Sequence, residues 1–494
     1  MAKSRFRYAL LLFVVLGMVA AACTSDSDDT TTTTAGDGDT TTTAPAETTT
    51  TAPAETTTTA APEPGTLVFW TTEKEPSRVL KQQEIVNAFT ASSGIKVQLT
   101  VVNEDLLPQA MLANFAADTL PDVVIHPLEL AVLWANAGIL DSVAAQQVIS
   151  DLGEETFSSG ALELATGDGG VATVPSDGWG QLLIYRKDLF DAAGLEKPDT
   201  FEKMAAAAAA LNNPGSDFYG ITASTDVARF TQQTWEHFAL ANGCELVDDA
   251  GAITLDTPNC VEAIQFYDDL INKYSPRGLQ DVVTTRATYF AGQAAMIVWS
   301  PFIMDEMAGL RDGALPTCPE CADDIAFLAK NSDFVPAFAG PSGSPAQYGQ
   351  VTYIGIGTTD KTTEAIAFVE YWMSDAYLDW LGVAPEGKFP MRQGTQDEPT
   401  LYIDGWRALT SGVDRKAPLS DYYSEDVING LITGSDNFAR WGFTEGQGEL
   451  VGAVYGTDMV PQVLEQVLAG DLTAEEGAAL MQELAEEEQS FLGG

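Results

Sequence analysis

The pattern of apolar and polar positions in the first part of the chain predicts alternating strands and helices. Residues 66–70 (TLVFW) form an apolar, β-rich run, and residues 79–90 then place apolar side chains at helical spacing. Residues 95–101 return to the alternation of a strand. This order is typical of a β-α-β unit, which predicts a parallel pair of strands joined by a right-handed crossover.

Polar and aromatic side chains follow the ends of two predicted strands. The first strand ends at Trp70 and is followed by Glu73, while a buried strand over residues 121–126 ends at His126, with Glu129 close behind. Ligands of open α/β sheets bind beyond the carboxyl ends of the strands, so we expect these side chains at one edge of a cleft. The alternative for His126 is a capped histidine that only satisfies the end of its strand.

A corner in the chain is predicted between residues 169 and 195. The short apolar run 171–174 meets Pro175, which ends regular pairing, and Asp177-Gly178 is a turn pair. Trp179 stands between two glycines, where the backbone can approach a ligand closely, and a strand over residues 182–185 follows. We expect the chain to pass here from one lobe to another, with Asp177 and Trp179 as ligand contacts. A tryptophan that plugs the top of a sheet is the alternative.

Several motifs then occur in a characteristic order. Tyr185 ends the strand, residues 186–190 read RKDLF, residues 193–195 read AGL, and Pro198 precedes a helix opening at residue 200. Residues 289–299 (YFAGQAAMIVW) match an F-x-x-G-x-A-A-M strand. In this order the chain resembles the extracellular solute-binding proteins of ABC importers, family 1, the carbohydrate-binding family that includes maltose-binding protein.

The resemblance implies a fold and a function. The fold class is α/β, a two-lobed periplasmic-binding-protein-like fold (type II), with hinged lobes and a ligand cleft between them. The protein would capture a mono- or oligosaccharide by hinge closure and deliver it to the permease subunits of an ABC transporter. Other polar solutes stay open, no cofactor is implied, and we expect a monomer.

The resemblance also points to individual residues. Loops after the first strand and after the P-D-aliphatic strand touch the sugar in this family, which again selects Trp70, Glu73, His126 and Glu129. An aromatic side chain after the F-x-x-G-x-A-A-M strand stacks on ligand, which makes Trp299 and Phe302 candidates, with core filling as the alternative. The remaining candidates are Arg392, in a predicted third crossing over residues 387–394 (GKFPMRQG), and the aromatic residues Trp441 and Tyr455.

The predicted organisation divides the chain into six segments. They are a lipoprotein signal peptide (1–22), a disordered Thr/Pro-rich tether (23–64), the first part of lobe one (65–174), the first part of lobe two (175–335), a return to lobe one (336–387), and C-terminal helices assigned to lobe two (388–494).

The N-terminal segment has the pattern of an exported lipoprotein. A basic start is followed by an apolar run over residues 8–19, too short for a permanent membrane span, and by AAAC ending at Cys23. We expect lipid on Cys23 and an extracytoplasmic protein anchored to the cell membrane by that lipid only. An ordinary secretory peptide with an incidental cysteine is the alternative. Threonine, alanine, proline and acidic residues dominate residues 24–64, which cannot bury a core.

The net charge limits which partners are expected, and the cysteine content indicates the environment of the protein. The formal net charge is −47, from 71 acidic and 24 basic residues, which disfavours binding to nucleic acid or to an anionic bilayer. Four cysteines remain besides Cys23, and in an exported chain we expect Cys244 to pair with Cys260 and Cys318 with Cys321. A redox C-x-x-C at 318–321 is the alternative for the second pair.

The sequence carries few signatures of catalysis. It contains two histidines and no H-E-x-x-H, G-x-S-x-G or P-loop motif, so zinc peptidases, serine hydrolases and nucleotide enzymes lose their usual patterns. No D-x-D-x-D-G calcium loop occurs either. We expect a binding protein that is not an enzyme. The alternatives are a secreted carbohydrate-cleaving enzyme, which needs only two carboxylates, and a tethered surface adhesin.

Overall fold

The computed structural model describes residues 65–434 and 438–493. The predicted signal peptide, Cys23 and the tether lie outside these residues. The strands are β1 Leu67–Thr71, β2 Val97–Val101, β3 Val123–Pro127, β4 Thr166–Gly167, β5 Gly170–Val171, β6 Val174–Gly180, β7 Leu182–Arg186, β8 Met296–Trp299, β9 Ser332–Val335, β10 Gln347–Ile356, β11 Phe389–Pro390 and β12 Phe438–Ala439.

The α-helices alternate with strands in the first part of the chain and follow one another in longer runs afterwards. They are α1 Pro76–Ser93, α2 Leu107–Ala116, α3 Ala131–Asn136, α4 Ser142–Leu152, α5 Ser159–Leu164, α6 Lys187–Ala193, α7 Phe201–Leu211, α8 Arg229–Ala241, α9 Pro258–Tyr274, α10 Val282–Phe290, α11 Ile303–Met307, α12 Phe327–Asn331, α13 Thr362–Trp372, α14 Tyr377–Leu381, α15 Leu401–Arg407, α16 Glu425–Gly434, α17 Gly448–Gly456, α18 Met459–Ala469 and α19 Ala474–Leu492.

Two sheets define the two lobes. Lobe one carries the seven-stranded sheet, ordered β11-β6-β10-β3-β1-β2 with β12 paired to β10, and lobe two carries the three-stranded sheet β8-β7-β9. Strand β1 is parallel to both β2 and β3, so the predicted parallel β-α-β unit is confirmed. Strand β10 is antiparallel to β3 and β6, which makes the large sheet mixed.

The first passage between the sheets lies later in the chain than the corner suggests. Strand β6 runs through Pro175 and the Asp177-Gly178 pair, so the expected end of pairing and the expected turn are both wrong. Pro175 pairs at a register shift of β10, where its missing N–H is tolerated. Gly178 serves close packing, since a Cβ there would lie 2.8 Å from Met391 Cε. The chain crosses to lobe two between β6 and β7.

The segments after residue 387 are also divided between the two lobes in a different way from the predicted one. Strand β11 pairs with β6, and helix α15 packs on β11, so the chain up to residue 407 belongs with the large sheet. Helices α18 and α19 pack on α9 of lobe two, whereas α17 contacts both α3 of lobe one and α19. The C-terminal region therefore joins both lobes. Its last helix begins with the Thr473–Glu476 capping box.

The four remaining cysteines form two close pairs. The Sγ atoms of Cys244 and Cys260 are 2.02 Å apart, and those of Cys318 and Cys321 are 1.89 Å apart. All four side chains are buried in lobe two. Each pair therefore links two nearby positions within lobe two and does not join the lobes to each other.

Candidate ligand-binding cleft

A cavity of about 330 Å³ lies between the two lobes. Its floor includes the residues that follow β1 and the end of β3, which is the edge of a parallel pair where ligands bind. Lobe one contributes Thr72, Glu73, Glu104, Asp105, Ile125, His126, Pro127, Trp179, Gln350, Thr352, Trp380 and Lys388, and lobe two contributes Arg229, Phe230, Gln233, Val282, Ser300 and Phe302.

A second, larger depression of about 940 Å³ lies on the surface of lobe two. It is formed by α7, α9 and the loop around Gly340, and lobe one contributes nothing to it. We take the smaller cavity as the candidate site, because both lobes and the ends of two parallel strands form its walls.

Aromatic rings line the cavity from both lobes. Trp179 projects from β6 and is half-buried, and its ring centroid lies 6.4 Å from that of Phe302 and 6.1 Å from that of Tyr348. In lobe two, Phe230 stands edge-to-face on Trp299 at 4.7 Å. The cavity thus presents apolar ring faces of the kind on which the apolar face of a sugar can stack.

A network of buried charges forms one wall. Lys388 Nζ lies 3.0 Å from Glu73 Oε1, 3.5 Å from Asp177 Oδ2 and 4.0 Å from the centre of the Trp380 ring. Arg78 lies 3.4 Å from Glu73 on the other side. Burial alone would raise the pKa of Glu73, but Lys388 and Arg78 outweigh it and lower that pKa to about 2. Glu73 therefore stays ionised and firmly held.

A second ion-paired group joins the lobes across the cavity. Arg229 of α8 in lobe two lies 3.5 Å from Glu129 and 3.6 Å from Glu104, both in lobe one. Glu129 is fully buried and accepts a hydrogen bond from Gln350 at 2.8 Å. Nη1 of Arg229 is buried without a hydrogen bond, so it remains a donor at the cavity.

His126 lines the cavity, but both of its ring nitrogens are already engaged. Nδ1 lies 2.9 Å from the carbonyl oxygen of Pro127, and Nε2 lies 3.1 Å from Thr173 Oγ1. The residue is 1% exposed. Burial lowers the pKa of His126 to about 4, against the opposing effect of the hydrogen bond to Pro127, so the imidazole is neutral at pH 7.

This buried neutral histidine should make stability depend on pH. The unfolded chain protonates His126 below about pH 6.5 and the folded protein only near pH 4, so stability falls as the pH drops through this window. Between pH 7.5 and pH 5 the wild type should lose about 2 kcal/mol more free energy of unfolding than His126→Gln. Urea unfolding of both proteins at the two pH values measures this difference. Equal losses would show that His126 does not titrate in this way.

The structure separates the residues that sequence reasoning selected into three groups. Glu73, His126, Trp179 and Phe302 line the cavity. Three further candidates lie directly behind the residues that line the cavity. Glu129 forms an ion pair with Arg229, and Asp177 forms one with Lys388. Trp299 packs against the ring of Phe230. Trp70, Arg392, Trp441 and Tyr455 do not line the cavity.

The positions of the last group have physical reasons. The Arg392 guanidinium donates to the carbonyl oxygens of Met373 at 2.6 Å and Leu152 at 3.0 Å, so it joins the C-terminal ends of two helices of lobe one. Trp441 is fully buried, and its Nε1 donates to the carbonyl oxygen of Cys244. Tyr455 is also buried, and its hydroxyl donates to Glu236.

Several residues that line the cavity were not predicted from the sequence. Lys388 lies in the same GKFPMRQG segment as Arg392, so the right segment was found and the wrong cation in it was selected. Arg229 and Phe230 begin helix α8, where no motif marks them, and Trp380 lies on a short helix that pattern alone assigns to the core. Their roles arise from contacts between distant parts of the chain.

The described residues contain neither a metal-binding cluster nor a membrane-spanning helix. Within residues 65–434 and 438–493, no group of three or more His, Cys, Asp or Glu side chains is arranged to hold a metal ion. In the same ranges, no helix has the length and apolar character needed to cross a membrane.

Comparisons with known proteins agree with this architecture. The family model for bacterial extracellular solute-binding proteins matches residues 78–378. The "Putative ABC transporter periplasmic-binding protein YcjN" of Escherichia coli (strain K12) is 28% identical over 368 residues, which cover 73% of this chain and 80% of the relative.

Solved structures show the same fold at lower sequence identity. The GacH receptor of Streptomyces glaucescens GLA.O, solved unliganded and in complex with acarbose, is 18% identical with a TM-score of 0.67, covering 86% of this chain and 98% of its own. Maltose-bound MalE3 of T. maritima is 18% identical, with a TM-score of 0.65. The match covers 85% of this chain and 99% of MalE3. Since the family match spans more than half of the chain, this protein belongs to the bacterial extracellular solute-binding protein family.

Proposed function

We propose that this protein captures a carbohydrate between its two lobes and delivers it to the permease of an ABC importer. The observation that carries the proposal is the shared cavity, in which Trp179 of lobe one and Phe230 and Phe302 of lobe two present ring faces beside polar side chains. This combination suits a molecule with apolar ring faces and many hydroxyl groups. Maltose and acarbose, which the two structural relatives bind, are of that chemical class.

The proposed mechanism is hinge closure. The chain passes between the sheets at Gly180–Leu182 and again between β9 and β10, so a ligand that touches both walls favours the closed arrangement. Rings from both lobes would stack on the sugar, and its hydroxyls would bond to polar groups such as Arg229 and Gln233. A closed, ligand-loaded monomer is then the form that the permease distinguishes from the empty one.

The charge network argues against Glu73 as the acid of a glycosidase. A glycosidase needs one carboxylic acid that keeps its proton and one carboxylate beside the bond to be cut. Glu73 has a pKa of about 2 and is held by Lys388 and Arg78, so it is a poor proton donor. A hydrogen-bond acceptor fixed in this way suits the recognition of hydroxyl groups.

One incubation separates the three functional classes. Purified protein is mixed with a panel of mono- and oligosaccharides, and the free and the retained sugars are identified by mass spectrometry. A binding protein retains a sugar intact, a glycosidase returns shortened products, and an adhesin without a small ligand retains none. Only the first result agrees with the proposal.

We also propose that the mature chain is lipidated at Cys23 and is held outside the cytoplasm by that lipid. The support is the basic start, the short apolar run and the AAAC sequence before the tether. Mass spectrometry of the mature N-terminus should show an acylated cysteine at this position. An unmodified N-terminus elsewhere would contradict the proposal.

The close cysteine pairs are proposed as disulfides, Cys244–Cys260 and Cys318–Cys321. Their Cα atoms are 4.6 Å and 5.0 Å apart, within the range that disulfides adopt. Peptide mapping of the exported protein without reduction should recover both pairs, and reduction should release them. Free thiols or crossed pairs in the unreduced map would contradict the assignment.

A further inference from the structure

The lobes meet closely at the border of the cavity. The ring of Phe302, from lobe two, packs directly on the backbone at Gly387 of lobe one, where an added Cβ would lie 2.3 Å from the ring carbons. The guanidinium of Arg78 lies 5.8 Å from the centre of the same ring. Phe302 therefore closes the gap between the two lobes at this part of the cavity wall.

The second contact across the cavity has a similar effect. Arg229 reaches from α8 to Glu104 and Glu129 of lobe one, which brings the two walls together at that point of the rim. The cavity volume of about 330 Å³ lies at the lower end of the range for ligand pockets, which is roughly 300–1,000 Å³. A volume of this size favours a small ligand such as a single sugar unit.

The charges around the cavity argue against an acidic ligand. Among the described lining residues, the cations are Lys388 and Arg229, and each already faces two carboxylates. Neither is left to neutralise a carboxylate or phosphate of the ligand, and burying such a charge without a partner is costly. The net charge of −47 also repels anions from the protein as a whole.

Neutral polar groups are available instead. Gln233, Ser300 and Thr352 line the cavity and present one amide and two hydroxyl groups to it. Arg229 Nη1, which makes no hydrogen bond and lies 3.6 Å from Glu104 Oε1, is a further donor. Such groups can exchange hydrogen bonds with hydroxyls, and none of them requires a charged ligand.

We infer that the ligand is an uncharged monosaccharide or polyol, and that Phe302 excludes longer saccharides. This inference rests on the proposed function and narrows it to one ligand class. It makes Phe302 a residue that sets ligand size, while Trp179 supplies the ring face for stacking.

Isothermal titration calorimetry of the whole mature protein tests this selectivity. The neutral single-unit probes are D-glucose, D-galactose, D-mannose, D-fructose, D-xylose and D-mannitol. They are compared with maltose, trehalose, cellobiose and maltotriose, and with D-glucuronate and D-glucose 6-phosphate. We expect the tightest ligand to be a neutral single unit, with every longer or acidic probe at least about ten-fold weaker.

Variants of Phe302 test the source of the size limit. In Phe302→Ala, and in Phe302→Leu if the alanine variant does not fold, the ratio between disaccharide and monosaccharide affinity should shift toward the disaccharide by about ten-fold. Phe266→Ala is the matched control, because Phe266 is half-buried on the outer surface of lobe two, stacked on Phe201, and does not line the cavity. Its ratio should equal that of the wild type.

The outcomes separate this inference from the function on which it rests. Equal or tighter binding of a longer or an acidic probe would overturn the inference and leave carbohydrate capture intact. An unchanged ratio in a folded Phe302 variant would overturn the role of Phe302. Binding of no carbohydrate at all would overturn the proposed function, and the inference with it.

Discussion

Replacement of Trp179 by alanine is expected to weaken carbohydrate binding about ten- to a hundred-fold and to leave the melting temperature of the ligand-free protein unchanged. Trp179 is half-buried on β6, and one side of its ring faces the cavity beside Phe302. A stacking contact contributes a few kcal/mol at most, and about 1.4 kcal/mol corresponds to a ten-fold change in affinity. The loss should therefore be confined to binding.

The matched control for this variant is Trp70→Ala. Trp70 is also a half-buried tryptophan of the large sheet, but it does not line the cavity. Its removal should leave affinity within about two-fold of the wild type. If Trp179 instead belonged to the core, Trp179→Ala would cost roughly 3 to 5 kcal/mol of stability and lower the melting temperature. A large fall in that temperature with affinity retained would remove Trp179 from the site.

Glu236→Ala is expected to destabilise the ligand-free protein by about 3 to 5 kcal/mol. Glu236 of α8 and Arg440 are both fully buried, with Arg440 Nε 3.0 Å from Glu236 Oε1. The same carboxylate accepts hydrogen bonds from the Trp441 backbone N–H at 3.1 Å and from the Tyr455 hydroxyl at 2.5 Å. Removing it leaves a buried guanidinium and two donors without their acceptor.

Urea unfolding measures this effect, with Glu483→Ala as the control. Glu483 is exposed on α19, and its replacement should change the free energy of unfolding by no more than about 0.5 kcal/mol. The double variant Glu236→Ala/Arg440→Met should be less destabilised than the sum of the single changes, because the buried charge is removed together with its partner. Strict additivity would show that the two residues do not act as a pair.

The sequence pattern predicted the first strands and helices correctly, because their formation depends on the local spacing of apolar and polar residues. The β1-α1-β2 unit follows directly from the spacing of its apolar residues. The strand-end pattern and the family resemblance pointed to Glu73, the glycine-flanked corner pointed to Trp179, and both residues line the cavity. Strand ends and glycine-flanked aromatics are therefore informative in this chain.

The sequence-based predictions fail where the role of a residue depends on contacts with distant parts of the chain. Pro175 and Gly178 suggested a turn, yet the first lies at an irregularity of the ladder and the second makes room for Met391. Trp441 and Tyr455 resemble ligand contacts in sequence, but the buried Glu236 binds both of them. Arg229 and Lys388 meet their partners far away in the chain, so no local pattern could select them.

Hydrogen–deuterium exchange with and without a saturating bound sugar tests most directly whether the ligand lies between the lobes. The account predicts simultaneous protection of peptides from both walls, including residues 72–73, 104–105 and 179 of lobe one and residues 229–233 and 300–302 of lobe two. The surface of lobe two around Phe266 should exchange as before. Protection confined to one lobe, or centred on that surface, would contradict capture in the cleft.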